Sequence, residues 1–209
     1  MKQNRENPFF ETYRTPFGTP PFDQIETEQY EPAFDEGIWQ LDEEVRAIAD
    51  NTELPTFENT IIALERSGKL LDKVISAFFN VLNAEADDEM MDISQRVSPK
   101  LSESSNNIYL NEQLFARVKS VYDRKDELHL PMEDARLLEK TFEAFCARGA
   151  ALGPEEKEKY RKLSSELSLL SLTFDQNALK DKNRYELLLT KKTNWKDYRK
   201  AYAKLPHSG

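Results

Sequence analysis

Glycine is scarce in this chain, with six in 209 residues, under half the usual share of about 7%. That shortage argues against a β-sandwich or barrel, which spends glycine on tight turns. It also leaves little for phosphate-cradling loops, and neither G-x-G-x-x-G nor G-x-x-x-x-G-K-[ST] occurs. The single cysteine, Cys146, can form neither an internal disulfide nor a cysteine zinc site, so the fold stands on packing alone and a cytoplasmic location is the simple expectation. Basic residues are outnumbered 29 to 38, for a net charge of −9, the reverse of the clustered Lys and Arg that a nucleic-acid partner calls for. No stretch approaches the roughly 18 apolar residues of a membrane span. Met1 to Glu6 is polar and no apolar run follows it, so neither a membrane partner nor a signal peptide is expected.

What the chain does have is charge, 32% of residues, arranged around apolar stripes. Residues 8–23 hold four prolines and four phenylalanines. Proline blocks helix interiors and the rings need a surface, which predicts an extended arm over 1–24 lying on the protein. Phe34, Ile38, Leu41, Val45 and Ile48 then recur at helical spacing, ending before Pro55. Thr56 suits an N-cap for a helix carrying Phe57, Ile61 and Leu64, with Gly68 at its end. Leu71, Val74, Ile75, Phe78 and Leu82 form the clearest stripe. A further helix starts near Asp87-Asp88-Glu89 and is expected to bend or break at Pro99. Asn111 caps the next, with Leu114, Phe115, Val118, Val121 and Tyr122 inward. Pro131 opens another, with Leu137, Leu138, Phe142 and Phe145 inward. Pro154 opens the last, where Tyr160, Leu163, Leu167, Leu170 and Phe174 make a narrow seam, expected to be buried against an antiparallel partner. The fold class is all-α, an antiparallel helical array over 25–184, with one short strand allowed at 185–192 (Tyr185 to Leu189 reads YELLL).

No catalytic constellation emerges from these residues. Zinc hydrolysis needs about three protein ligands, and the chain offers only His129 and His207, far apart and outside any H-E-x-x-H; His129, between two leucines before a proline, reads as a loop histidine. Cys146 lies near the Phe142/Phe145 face without a histidine close in sequence, so it reads as a small buried hydrophobe rather than a nucleophile. Asp87, Asp88 and Glu89 are explained by capping and by the positive helix end, and no D-x-[DN]-x-[DN]-G loop is present.

Order is more informative than composition. Asn7-Pro8-Phe9, PPFDQI from Pro20, YEPAFDEGI from Tyr30, PTFENTIIALERSGKLL from Pro55, VISAFFN from Val74, NNIYLNEQLFARV from Asn106 and FDQN from Phe174 together resemble the amino-terminal part of the zinc oligopeptidases of the oligopeptidase A, thimet oligopeptidase and peptidyl-dipeptidase group. IYLNEQLFARV and Y-x-P-A-F-D-E-G most resemble the peptidyl-dipeptidase (dipeptidyl carboxypeptidase) branch. The resemblance runs from about Asn7 to about Leu189. It implies the amino-terminal helical lobe of a zincin-like peptidase, a two-lobed helical body with a deep channel, in which H-E-x-x-H and a downstream Glu hold one zinc and the motif Glu activates water. It implies short peptides as substrates, with release of C-terminal dipeptides in the peptidyl-dipeptidase branch. The family's zinc ligands lie beyond this sequence, so the resemblance assigns no catalytic, cofactor-binding or metal residue to any position here. The matched region corresponds to the helical lid lining one side of the channel. This chain alone is then expected to hold no zinc and to be inactive, with an exposed channel face that favours self-association. The alternative is a stand-alone helical domain that binds peptides or a protein partner.

The carboxyl end departs from the pattern. Lys191 to Gly209 carry six basic residues and one acid, reversing the sign of the chain. Read from the last base of the Asn194 codon, NWKDYRKAYAK is compatible with L-E-G-L-P-E-S-L-R-E, and the family carries a similar L-x-G-L-P-E-S segment after its YELLLT-like strand. Residues 193–209 therefore resemble family sequence read out of frame. A frame-shifted tail is expected to be poorly packed, since it was never selected to fit this core.

Overall fold

In a computed structural model, residues 7–85 and 87–184 are described; the strand expected at 185–192 and the tail at 193–209 lie outside them. Helices dominate, and no strand occurs among the described residues. They are α1 (Tyr30–Ala49), a π-helical stretch (Phe57–Ile62) running into α2 (Ala63–Arg66), α3 (Lys69–Glu85), α4 (Asp88–Tyr109), α5 (Glu112–Tyr122), α6 (Met132–Ala147) and α7 (Pro154–Arg184). Two compact units divide within α7, residues 1–172 and residues 173–209; in the second, the described part is the end of that helix.

The first unit is built around two apolar clusters threaded by α1. Tyr30, Ala33 and Phe34 of α1 bury against Leu71, Val74, Ala77 and Phe78 of α3 and against Met90, Ile93 and Val97 of α4. One helical length further on, Val45, Ile48 and Ala49 join Ile61, Leu114, Val118, Val121, Leu138 and Phe145. Both helical repeats read from the sequence over 34–48 and 71–82 thus face the interior, with Ile38, Leu41 and Ile75 at the cluster margins. Caps fall where side chains can reach orphan amides. The side-chain oxygens of Asp87, Asn111 and Thr56 accept from the backbone N–H groups of Met90, Leu114 and Asn59 at 2.8, 2.9 and 3.1 Å.

Two glycines set the helix approach. Gly68 has φ +75°, a left-handed conformation that side chains disfavour, and its N–H donates to Glu44 Oε2 of α1 at 2.8 Å. At Gly37 an added Cβ would lie 3.0 Å from Leu71 Cα, so backbone meets backbone where α1 crosses α3. Gly37→Leu is expected to lower stability by about 1–3 kcal/mol, the usual cost of overpacking. Thermal unfolding of the purified chain checks it, with an unchanged midpoint as the contrary result.

Three expectations are corrected. Of the bend or break expected at Pro99, the break does not occur: α4 runs unbroken from Asp88 to Tyr109. Pro99 cannot donate to the preceding turn, yet Ile93 and Val97 before it are fully packed, and that burial carries the helix through. The α7 seam is not buried: Leu163, Leu167, Leu170 and Phe174 are 60–72% exposed. The side of α7 that meets the rest of the first unit is polar instead. Lys157 reaches Glu112 at 3.0 Å, Arg161 reaches Asn107 at 2.9 Å, and Ser164 pairs with Asn106 at 2.8 Å, and these positions turn the leucines outward. In the arm, Phe9 is buried and Phe10 partly packed, but Phe17 is fully exposed and Phe22 half exposed. The turn Pro16–Gly18 lifts Phe17 off the surface with φ 60°.

Candidate functional site

The arm is fastened chiefly by its backbone. Asn7 Oδ1 accepts from Phe9 N–H at 3.1 Å while its Nδ2 donates to Gln29 O at 2.8 Å. Lys73 Nζ of α3 donates to the carbonyls of Phe9 and Glu11 at 2.8 and 2.6 Å, and sits 3.7 Å from the centroid of the Tyr13 ring. Burial, and secondarily Tyr30 nearby, pushes the Tyr13 phenol up to about 12, and burial lowers the Lys73 ammonium from its usual range. A phenol whose folded value is raised favours the folded state fully below its ordinary value near 10. That contribution is lost as pH climbs through the folded value. An ultraviolet titration should therefore show Tyr13 ionising later than in the Lys73→Met and Phe9→Ala variants, whose arms are loosened. A Tyr13 that titrates identically in all three would contradict the burial.

The sequence candidates for chemistry do not converge. His129 is exposed at φ 47° in the turn between α5 and α6, and His207 lies outside the described residues. Cys146 is exposed rather than buried: Leu138, Phe142 and Phe145 define the packed side of α6, and a residue one step past Phe145 turns about 100° away from it. Asp87 caps α4, and Asp88 and Glu89 occupy its first turn. Among the described residues, no three His, Cys, Asp or Glu side chains group as metal ligands, and no helix is long and apolar enough to cross a membrane. Most of the acids and bases that meet among the described residues do so at the surface, while Lys157, itself buried, pairs with the exposed Glu112. Glu31 of α1 is held between Arg96 and Lys100 of α4, and the hydrogen bond from Arg96 holds its carboxyl below the usual range.

The groups that join elements are ones the apolar repeats do not reveal. Arg117 on α5 is buried and hydrogen-bonds the 51–60 segment. Arg124 reaches Pro55 O. Ser98, Ser102 and Ser105 of α4, with Ser164 and Ser168 of α7 and Arg148, line a cleft of about 390 Å³. Of these, only the serines left a sequence signal, a polar stripe at spacings of four and three.

No family model matches the chain. It is 43% identical over 173 residues to a dipeptidyl carboxypeptidase of Escherichia coli strain K12, covering 83% of this chain and 25% of that protein. Identity is 39% over 173 residues to a dipeptidyl carboxypeptidase of Salmonella typhimurium strain LT2, again 83% of this chain and 25% of the relative. The organellar oligopeptidase A of Arabidopsis thaliana is 26% identical over 179 residues, 84% of this chain and 22% of its own length. The chain thus spans about a quarter of the length of the curated relatives it matches. The ordered segments that suggested a peptidase family in the sequence and these alignments agree, and the chain belongs to the family of dipeptidyl carboxypeptidases and oligopeptidases A.

Proposed function

We propose that this chain is the helical, channel-lining portion of a zinc peptidase that removes dipeptides from the carboxyl ends of short peptides, and that it is inactive by itself. The observation that carries this is the 43% identity to a dipeptidyl carboxypeptidase over a quarter of that protein's length. Catalysis of this kind needs about three ligands, an open zinc position and a base. The described residues do not fit a zinc centre: His129 stands alone on the surface and Cys146 is on the outer side of α6. No catalytic step is therefore assigned to them. A cytoplasmic location goes with this reading, supported by relatives that include a probable cytosolic oligopeptidase A.

The test is to sequence the gene past the Lys192 codon and restore the reading frame at Asn194. The expected result is a continuous frame through L-E-G-L-P-E-S to an H-E-x-x-H motif, whose product releases C-terminal dipeptides and loses that activity to a chelator. A repaired frame that encodes no such motif, or peptide cleavage by the 209-residue chain itself, overturns the proposal. The outward leucines of α7 support a further part of it, self-association of the isolated chain, because large exposed apolar patches seldom persist on monomers. Sedimentation should show mass rising with concentration, and Leu163→Lys with Leu167→Lys should return the chain to a monomer. A parent chain that stays monomeric at high concentration would count against it.

A further inference from the structure

The cleft between α4 and α7 has a chemical character of its own. Ser98, Ser102 and Ser105 project from one face of α4, and Ser164 and Ser168, one turn apart, face them from α7. Small side chains on both walls leave a space of about 390 Å³, within the range of small-molecule sites. Its apolar lining comes from Phe79, Leu101, Tyr109 and Tyr160. Arg148, just past the end of α6, lays its guanidinium 4.2 Å from the centroid of the Tyr109 ring and donates from Nη1 to Ser105 Oγ at 3.1 Å. Stacking of this kind restricts the plane of the guanidinium, and Arg148 is among the residues that line the cleft.

The polar groups of the cleft divide into satisfied and unsatisfied. Asn106 and Ser164 satisfy each other, with Asn106 Nδ2 donating at 2.8 Å and Asn106 Oδ1 accepting at 3.1 Å. By contrast, the hydroxyls of Ser98, Ser102 and Ser168 make no protein hydrogen bond among the described residues. No Asp or Glu lines the cleft, and among the described residues Arg148 has no carboxylate partner, although the chain carries nine more negative charges than positive ones. A guanidinium without a carboxylate partner, lining the same cleft as unbonded hydroxyls, is a group that a planar or tetrahedral oxyanion can pair with.

We propose that this cleft binds a small ligand bearing an oxyanion, carboxylate or phosphate, on an apolar body: Arg148 pairs with the oxyanion, Phe79, Leu101 and Tyr160 cover the body, and the serine hydroxyls line the space between the helices. The serines are short so that the ligand can lie between the helices, and the Tyr109 stack holds the guanidinium ready before the ligand arrives.

The isotope-labelled 209-residue chain, titrated with phenylacetate, inorganic phosphate and uncharged phenylacetamide while backbone amides are followed by NMR, tests this. Phenylacetate is expected to shift the amides of Ser102, Ser105 and Arg148 saturably. Phenylacetamide should bind about tenfold or more weakly, the scale of one lost charge-assisted hydrogen bond. Phosphate that shifts the same amides more strongly than phenylacetate assigns the oxyanion to a phosphate group, and the reverse order assigns it to a carboxylate. Arg148→Gln should abolish the shifts. Ser102→Leu, which fills the cleft and leaves the Arg148–Tyr109 stack in place, should abolish them independently. Competition between the two anions on the unmodified chain requires no variant to fold. The proposal is overturned if neither anion shifts these amides, if phenylacetamide matches phenylacetate, or if the shifts survive both substitutions.

Discussion

Phe78→Ala is expected to lower the unfolding free energy by about 3–5 kcal/mol, the cost of emptying a buried aromatic site. Stability of a domain this size totals only about 5–15 kcal/mol, so a single such loss brings the fold close to failure. Phe78 is fully buried, and its ring meets Tyr30 at 5.1 Å, Phe34 at 5.3 Å and Phe79 at 5.2 Å, each edge to face. Truncation therefore removes three aromatic contacts as well as the buried area, and edge-to-face pairs each add about 0.5–1.5 kcal/mol. Neighbouring backbone cannot collapse into the gap, because α1 and α3 already touch at Gly37 and Leu71. Urea unfolding followed by circular dichroism should show a much lower midpoint. Phe17→Ala, at a fully exposed ring, should change stability by less than about 0.5 kcal/mol. A Phe78 variant that loses less than about 1 kcal/mol would mean that the first cluster is not the packed centre of the unit.

The same ring has a second consequence. Phe79 stands next to Phe78 and lines the serine cleft. Packing of Phe78 from α3 against Tyr30 and Phe34 of α1 thereby fixes which side of α3 is offered to the cleft. In Phe78→Ala, amides around the cleft should exchange with solvent faster than those of α5 and α6, which belong to the other cluster.

Sequence pattern was most informative where a helix keeps one apolar side turned to the interior along its whole length. Along α1 and α3, the repeats at 34–48 and 71–82 identify both the helices and the side that is buried. In α7 the leucines at 163, 167 and 170 repeat just as regularly, yet they face outward. Periodicity reports that a stripe exists; which side is covered depends on partners distant in sequence, here Glu112, Asn106 and Asn107. Pro99 shows a similar limit: the rule that proline breaks a helix is local, whereas the packing of Ile93 and Val97 is not. Family membership was legible because it rests on ordered segments. The cleft was only half legible, since Ser98, Ser102 and Ser105 read alone as an ordinary solvated face and acquire their meaning from Arg148 and Tyr109. Cys146 illustrates the converse: nearness in sequence to Phe145 says little about a residue rotated a quarter turn from it.

Arg117 carries the other large effect. It sits on the apolar side of α5 among Leu114, Val118 and Val121 and is 7% exposed, a position where an unpaired charge would cost several kcal/mol. Instead of a carboxylate it finds a ring of neutral acceptors. Nη1 donates to the carbonyls of Asn51 and Glu53, and Nη2 donates to Asn59 Oδ1 at 3.0 Å and Thr60 Oγ1 at 3.3 Å. One guanidinium thus joins the segment after α1 to the start of the π-helical stretch and holds both against α5. Arg117→Met keeps the apolar stem but leaves those acceptors without their donor. It is expected to cost about 2–4 kcal/mol, because each hydrogen bond to a charged group is worth about 1.5–3 kcal/mol and water can replace only the more exposed ones. Relief from burying the charge works in the opposite direction and is the reason the loss stays below the sum of the bonds. Arg117→Lys separates the two effects: it restores the charge, but a single ammonium lacks the fork that reaches both pairs of acceptors, so it should recover only part of the loss. Amide exchange supplies a local readout, with residues 51–60 losing protection in both variants while α3 and α4 keep theirs. If Arg117→Met unfolds at the parent's midpoint, desolvation has cancelled the hydrogen bonds and the clamp adds no stability.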